Sequence, residues 1–259
     1  MNNNDLTWLI EKPIAHRGLF NDLYPENSLG AFNNAVKYNY GIELDVQFTK
    51  DKEVIVFHDD NLKRMTGLDK NVNELEYKEI KKLKLLNTNE NTPLLEEVLK
   101  LVNGDTPLII EIKNCNNIKE LGEYTYNILR TYKGEFAVES FNPIVLKWYK
   151  INAPYVVRGQ LSGNYKKFEG KSTAIERFIL TNMLLNFLSK PNFIAYELNS
   201  LPNTRISSLR KKGMIVIAWT IKNEKDEEKA YKYSDNIIFD SFRPKIKNIL
   251  KKNENNNIK

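Results

Sequence analysis

The chain has two histidines, and each closes an apolar run. His16 ends Ile14-Ala15-His16-Arg17-Gly18, and His58 ends Val54-Ile55-Val56-Phe57-His58-Asp59. Between them lies Gly41-Ile42-Glu43-Leu44-Asp45, and further on Leu108-Ile109-Ile110-Glu111-Ile112-Lys113. Imidazole both takes and gives a proton near neutral pH. Arg17 offers a planar donor fork that suits phosphate oxygens. Gly18 lets the backbone turn sharply and a substrate come close. Together these groups point to cation-assisted chemistry on a phosphoester. One imidazole would activate an attacking oxygen, and the other would protonate the departing alkoxide.

The carboxylates carry the metal argument. Residues two apart in a strand face the same side, so Glu43 and Asp45 point together, as do Glu111 and Lys113. Ile42, Leu44, Ile110 and Ile112 point the other way. Several inward carboxylates repel strongly unless a cation sits among them. Hard oxygen ligands favour Ca²⁺ or Mg²⁺ over zinc. An isolated Glu-x-Asp is ordinarily the wet face of an amphipathic strand, and a lone strand-end histidine is ordinarily structural. Repetition of the acidic pattern at Glu111 weighs against the first reading, and the pairing of the two histidines weighs against the second.

Short β-branched or aromatic runs alternate with helical periodicity along the chain. Strands are predicted at Pro13–His16, Gly41–Val46, Leu108–Ile112, Phe136–Ser140, Val156–Leu161, Phe193–Glu197, Met214–Trp219 and Asn236–Phe239. Helices are predicted at Ser28–Tyr38, Leu94–Leu101, Ile118–Tyr132, Pro143–Tyr149, Thr173–Leu188, Thr204–Lys212, Glu224–Tyr233 and Pro244–Lys251. Ser28 and Asn142, the latter followed by Pro143, are natural helix caps. Eight βα units in 259 residues predict an α/β fold, a TIM (β/α)8 barrel of residues 1–252, with a tail at 253–259. No Gly-rich phosphate loop follows the first strand, which disfavours an open doubly wound sheet. Too few residues separate Val46 from Val54 for a crossover helix, so an antiparallel hairpin is expected there. It opens an insertion of about residues 47–92 on the rim, with a helix expected at Glu74–Leu86.

Composition narrows the function further. No apolar run of about 18 residues exists to span a bilayer. The polar opening, Met1 to Trp8, lacks the layout of a secretory leader. One cysteine, Cys115, agrees with a reducing cytoplasm. The net charge of +6 comes from scattered lysines, and no basic arm, zinc-finger spacing or aromatic–basic signature points to nucleic acid. A small-molecule substrate is therefore expected, with neither nucleic acid nor stable membrane anchoring. The oligomeric state is not legible.

The blocks Ile14-Ala15-His16-Arg17-Gly18, Pro25-Glu26-Asn27-Ser28, Glu43-Leu44-Asp45 and His58-Asp59-x-x-Leu62-x-Arg64-x-Thr66-Gly67 resemble those of the glycerophosphodiester phosphodiesterase family. The resemblance continues through Pro93-Leu94-Leu95-Glu96-Glu97, Glu111-Ile112-Lys113, Ser140-Phe141, Ala218-Trp219-Thr220 and Ile237-Ile238-Phe239-Asp240. It implies a TIM barrel that hydrolyses glycerophosphodiesters to sn-glycerol 3-phosphate and an alcohol. It also implies a divalent cation, Ca²⁺ or Mg²⁺, on Glu43, Asp45 and Glu111. His16 and His58 match the catalytic pair, Arg17 and Lys113 match phosphate contacts, and Phe141 and Trp219 match aromatics beside the glycerol. Ser28 and Phe239 depart from the commoner threonines, and the insertion matches less well beyond Gly67. Two other readings stay open: a lysophospholipase D or cyclising phospholipase acting on lipids, and a non-catalytic phosphate-binding barrel.

Overall fold

The apolar runs and the amphipathic stretches between them form alternating strands and helices in the computed structural model, which describes residues 5–163 and 173–246. The strands are β1 (Ile14–Ala15), β2 (Gly41–Phe48), β3 (Val54–Val56), β4 (Leu108–Ile112), β5 (Phe136–Ser140), β6 (Val157–Ser162), β7 (Phe193–Glu197), β8 (Ile215–Ile221) and β9 (Asn236–Phe239). All but β3 are parallel, and β1 pairs with both β2 and β9, so the sheet closes into an eight-stranded barrel. This is the expected TIM barrel. The helices are α1 (Trp8–Glu11), α2 (Leu29–Lys37), α3 (Lys63–Thr66), α4 (Tyr77–Ile80), α5 (Leu95–Val102), α6 (Ile118–Leu129), α7 (Pro143–Asn152), α8 (Ala174–Thr181), α9 (Asn186–Ser189), α10 (Thr204–Lys211) and α11 (Glu224–Tyr233).

Alternation along the strands builds two separate cores. Ile42, Leu44, Val46, Ile110, Ile112 and Val138 face outward and join the apolar faces of the helices, including Phe32, Val98, Leu121 and Leu146. The intervening residues Ile109, Ala137, Ala195 and Ile217 form a second cluster with Trp8 and Leu9. That cluster fills the barrel interior at its lower end, and α1 supplies the plug. Asn236 secures the plug by donating from Nδ2 to the carbonyls of Leu9 and Lys12, both at 2.7 Å. Ser28 Oγ accepts from the Ala31 N–H at 3.1 Å, and Asn142 Oδ1 from the Ile144 N–H at 2.9 Å, so both expected caps form.

The hairpin is also present. β3 runs antiparallel to β2 through Val46↔Val56, Gln47↔Ile55 and Phe48↔Val54. Behind it, Ile55, Phe57, Leu62, Met65, Val72, Leu75, Ile80 and Leu85 make a third, local apolar cluster. The long helix expected over Glu74–Leu86 does not form: a 3-10 turn at Val72–Glu74 and the single turn α4 replace it. Asn91 Nδ2 captures the carbonyls of Lys81 and Leu83, and Leu86 and Asn87 turn left-handed, which ends any helix there.

Two further helices differ from expectation. Thr173–Leu188 divides into α8 and α9 instead of forming one rod. Ser162 Oγ and Tyr196 Oη donate to the carbonyls of Leu180 and Thr181, and Met183 adopts a φ of 54°, so side chains from β6 and β7 terminate α8. Pro244 to Ile246 are not helical, and the rest of the expected last helix lies outside the described residues, as does the 253–259 tail. No helix among the described residues is long and apolar enough to cross a membrane.

Candidate active site

Every parallel barrel presents the C-terminal ends of its strands at one mouth. In β4 and β5 the inward residue changes from apolar to acidic on approaching that mouth, and in β2 the inward residues after Gly41 are Glu43 and Asp45. Register places Asp45 beside Glu111, and Glu111 beside Glu139. Oxygens of Glu43, Asp45 and Glu111 lie within 4.8 Å of one another, and all three residues are buried. A cavity of about 210 Å³ opens above them, lined by His16, Arg17, Glu43, His58, Glu111, Lys113, Glu139, Phe141, Leu161, Trp219, Thr220 and Ile238. Of the nine residues singled out in the sequence, eight line this cavity and Asp45 lies behind its wall.

Two basic groups are threaded among the carboxylates. Lys113 Nζ lies 3.1 Å from Glu111 Oε1 and 3.5 Å from Asp45 Oδ1. Arg17 Nε lies 3.4 Å from Asp45 Oδ2, and its Nη1 donates to Glu26 Oε1 at 2.7 Å. Arg17 sits in the left-handed region with φ 57°, which turns its backbone N–H onto Glu43 Oε2 at 2.9 Å. Gly18 follows with φ 82°, and a Cβ there would meet Phe32 and Ala31 at 2.9–3.0 Å. Glycine is the residue that this turn admits.

The electrostatics separate the acids. Burial opposes ionisation of Asp45, but Lys113, His58 and Arg17, with a hydrogen bond from Asn27 Nδ2 at 2.9 Å, outweigh it and hold the group below the usual carboxylate range. Glu43 is pushed well above that range by burial and by the charges of Asp45, Glu111 and Glu139. Burial, followed by Glu111 and Asp45, does the same to Glu139. Burial works against the Lys113 ammonium, yet Glu111 and Asp45 raise it overall, so it stays charged. Four carboxylates thus meet two fixed cations in a space shielded from water. A set of hard oxygen donors whose mutual repulsion keeps two of its acids from ionising fits a divalent cation of the Ca²⁺ or Mg²⁺ type, which would relieve that repulsion.

Each histidine turns Nδ1 onto a carboxylate. His16 Nδ1 lies 3.2 Å from Asp240 Oδ2, and His58 Nδ1 lies 2.7 Å from Asp59 Oδ1. A carboxylate at Nδ1 fixes the ring and favours the tautomer that leaves Nε2 as the acceptor. Asp59 belongs to a longer chain of contacts: Arg64 grips Asp59 through Nε at 2.6 Å and Glu26 through Nη1 and Nη2 at 2.9 and 2.6 Å. Glu26 in turn holds Arg17. One arginine of the rim segment therefore ties the surroundings of His58 to those of His16.

Sequence reasoning gave no role to Glu139, Asn27, Glu26, Arg64 or Asp240. Glu139 carries the same signal as Glu111, an inward acid at the end of an apolar strand, and could have been found by it. Asp240 lies 224 positions from its histidine, and only chain closure brings the two together.

Residues 16–253 match the model of the glycerophosphoryl diester phosphodiesterase family. The chain belongs to that family. It is therefore an enzyme, a phosphoric diester hydrolase acting on glycerophosphodiesters. It is 29% identical over 240 residues to a glycerophosphodiester phosphodiesterase of Caldanaerobacter subterraneus subsp. tengcongensis, covering 88% of this chain and 93% of the relative. A lysophospholipase D of Rattus norvegicus is 34% identical over 160 residues, 56% of this chain and half of the relative. Among solved structures, an Oleispira antarctica phosphodiesterase in complex with the product sn-glycerol 3-phosphate superposes with a TM-score of 0.76 at 23% identity, covering 90% of this chain and 94% of that one.

Proposed function

We propose that this enzyme releases sn-glycerol 3-phosphate and an alcohol from glycerophosphodiesters, with His16 and His58 moving the protons and Glu43, Asp45 and Glu111 holding a divalent cation. The observation that carries the reading is the meeting, around one small cavity, of two carboxylate-oriented imidazoles with Glu43 and Glu111 on its wall and Asp45 directly behind them. The product complex of the Oleispira enzyme supports the choice of product. When bound, the cation would polarise the phosphate and offset the charge that develops in the transition state.

The chain's own residues do the rest. Arg17 and Lys113 lie on the cavity wall, where they bind and orient phosphate oxygens. His16 Nε2 accepts the proton of the attacking oxygen, from water directly or from the glycerol 2-hydroxyl; in the second case the product of the first step is a cyclic phosphate, which water then opens to sn-glycerol 3-phosphate with the proton transfers reversed. His58, entering this step as the imidazolium with Asp59 at Nδ1, donates its Nε2 proton to the alkoxide as its bond to phosphorus breaks. The assignment of His58 to the leaving group rests on position. A second cavity of about 680 Å³, lined by Gln47, Asp60, Lys113 and several asparagines, opens on the side of the rim segment that carries His58. An alcohol departing past His58 enters that space. Asp59 and Asp240 hold the two rings and offset their charge when protonated.

A second reading, hydrolysis of a lysophospholipid, draws on a different observation. Phe178, Leu184 and Phe187 are 63%, 42% and 68% exposed in the segment that follows β6, where a barrel helix was expected. An apolar cluster of that kind suits a lipid surface. The deciding experiment measures glycerol 3-phosphate and lysophosphatidate release from soluble glycerophosphocholine, glycerophosphoethanolamine and glycerophosphoglycerol and from lysophospholipid vesicles, with and without chelator. Chelator-sensitive glycerol 3-phosphate release from the soluble diesters supports the main reading. Turnover of vesicles alone would replace it with the second, and turnover untouched by chelator would remove the cation.

A further inference from the structure

The net charge of the chain and much of its exposed apolar surface fall in the same stretch. Residues 140–196 hold eight lysines and arginines against two glutamates, a net +6, and the remaining 31 basic and 31 acidic residues balance. The whole excess charge of the protein therefore lies between the end of β5 and the end of β7. Of the twelve large apolar side chains exposed among the described residues, six fall there too: Ile144, Ile151, Tyr155, Phe178, Leu184 and Phe187. Ile144, Lys147 and Ile151 are spaced three and four apart, so they share one face of α7, and all three are exposed. α9 packs against α7, and Lys150 Nζ reaches across to donate to the Leu188 carbonyl at 2.9 Å. Phe187 and Lys190, both exposed, extend the same mixture of apolar and basic groups on that side.

Single exposed apolar side chains are ordinary, but a set gathered on neighbouring helices and interspersed with lysines marks a surface that meets a partner. A second copy of the chain fits poorly, because it would set one +6 stretch against another. An anionic bilayer answers both components. Isoleucine and phenylalanine enter the boundary between headgroups and acyl chains, lysine stems lie along the apolar surface, and their ammonium groups meet lipid phosphates. We infer that the α7–α9 face docks this enzyme reversibly on anionic lipid bilayers. The face begins beside the catalytic mouth: Phe141 lines the cavity, and Ile144 is three residues further on. Docking there holds the mouth near the membrane, where complete deacylation of phospholipids releases glycerophosphodiesters. The docking is independent of the catalytic assignment, and the lipid serves as a surface and not as a substrate.

The test measures partition of the untagged full chain onto sedimented vesicles, some of phosphatidylcholine alone and some of phosphatidylcholine mixed with phosphatidylglycerol. Binding should be strong on the mixed vesicles and weak on the neutral ones. It should be largely reversed between about 0.1 M and about 1 M salt, as the screening length contracts from about 10 Å to about 3 Å. Lys147→Gln combined with Lys190→Gln should weaken it about 25-fold, or about fivefold for each charge removed. Phe187→Ser should weaken it by about tenfold or more, and Ile151→Ser by a similar factor. All four positions are exposed, so the variants should keep the native thermal midpoint. Absence of binding to the mixed vesicles overturns the inference, as does equal binding to the neutral ones. So does binding that none of these substitutions weakens, since another surface would then carry it. A dimer that Phe187→Ser dissociates also overturns it, since a second copy would then occupy the face.

Discussion

The two ends of the barrel interior are built on the same strands with opposite chemistry. At the lower end Ile109, Ala137, Ala195 and Ile217 close around Leu9 and Trp8 in a dry, satisfied core. Two residues further along β4 and β5, Ile109 gives way to Glu111 and Ala137 to Glu139, and the interior becomes a buried collection of acids that oppose one another's ionisation. The contrast shows how one alternation pattern serves both ends. The period of two sends the inward side chains to the axis, and position along the axis decides whether they hold the molecule together or act on a ligand. Stability is concentrated below and chemical potential above.

The largest effect that would test this division comes from the histidines. His16→Ala or His58→Ala should cut kcat by about 10²- to 10⁴-fold, the range for loss of a general acid or base, while the thermal midpoint stays close to native. Near-native turnover in either variant would remove that ring from the mechanism, and a large fall in midpoint would show that the upper end also carries the fold. Arg64→Lys should come next. The guanidinium grips Asp59 and Glu26 together, a geometry that an ammonium does not reproduce. A loss of about tenfold in kcat is expected in steady-state assays.

Leu9→Ala examines the lower end alone. Deleting a fully buried leucine should cost about 2–5 kcal/mol by denaturant unfolding. Turnover per folded molecule should remain native, and a matching loss of activity would show that the two ends are coupled. The smallest effect concerns acid. Despite burial, Glu26 is held below its ordinary pKa by Arg64 and Arg17, and Asp59 by Arg64 and His58. Groups with a depressed folded pKa contribute stability above their unfolded pKa and lose it as pH falls through the folded value. The native protein should therefore lose more stability than Arg64→Ala on acidification below about pH 4.5. Parallel curves for the two proteins would dissociate the arginine from the acid response.

Much of this was legible in the sequence because strand parity and strand ends are local properties. The inward set Glu43, Asp45, Glu111 and Lys113 follows from alternation, and the barrel follows from eight βα units. The failures came where tertiary contacts override local propensity. Asn91 claims carbonyls that a helix over Glu74–Leu86 would need, and Ser162 and Tyr196 cut α8 short. The partner of His16 and the Arg64 bridge depend on closure between distant segments, which no local pattern encodes.

β1 is two residues long and meets β2 only at Ile14↔Gly41 and Ala15↔Ile42, whereas β2 carries on to Phe48 and takes β3 as its neighbour from Val46. The barrel wall therefore has a notch between its first two staves, and the chain folds inward through it at His16 and Arg17. A longer first strand would zip those residues to β2, and Arg17 could no longer bend its amide to Glu43. Designers who regularise this scaffold by extending its shortest strand would seal the notch, gaining ladder bonds and losing the point where His16 and Arg17 enter the cavity.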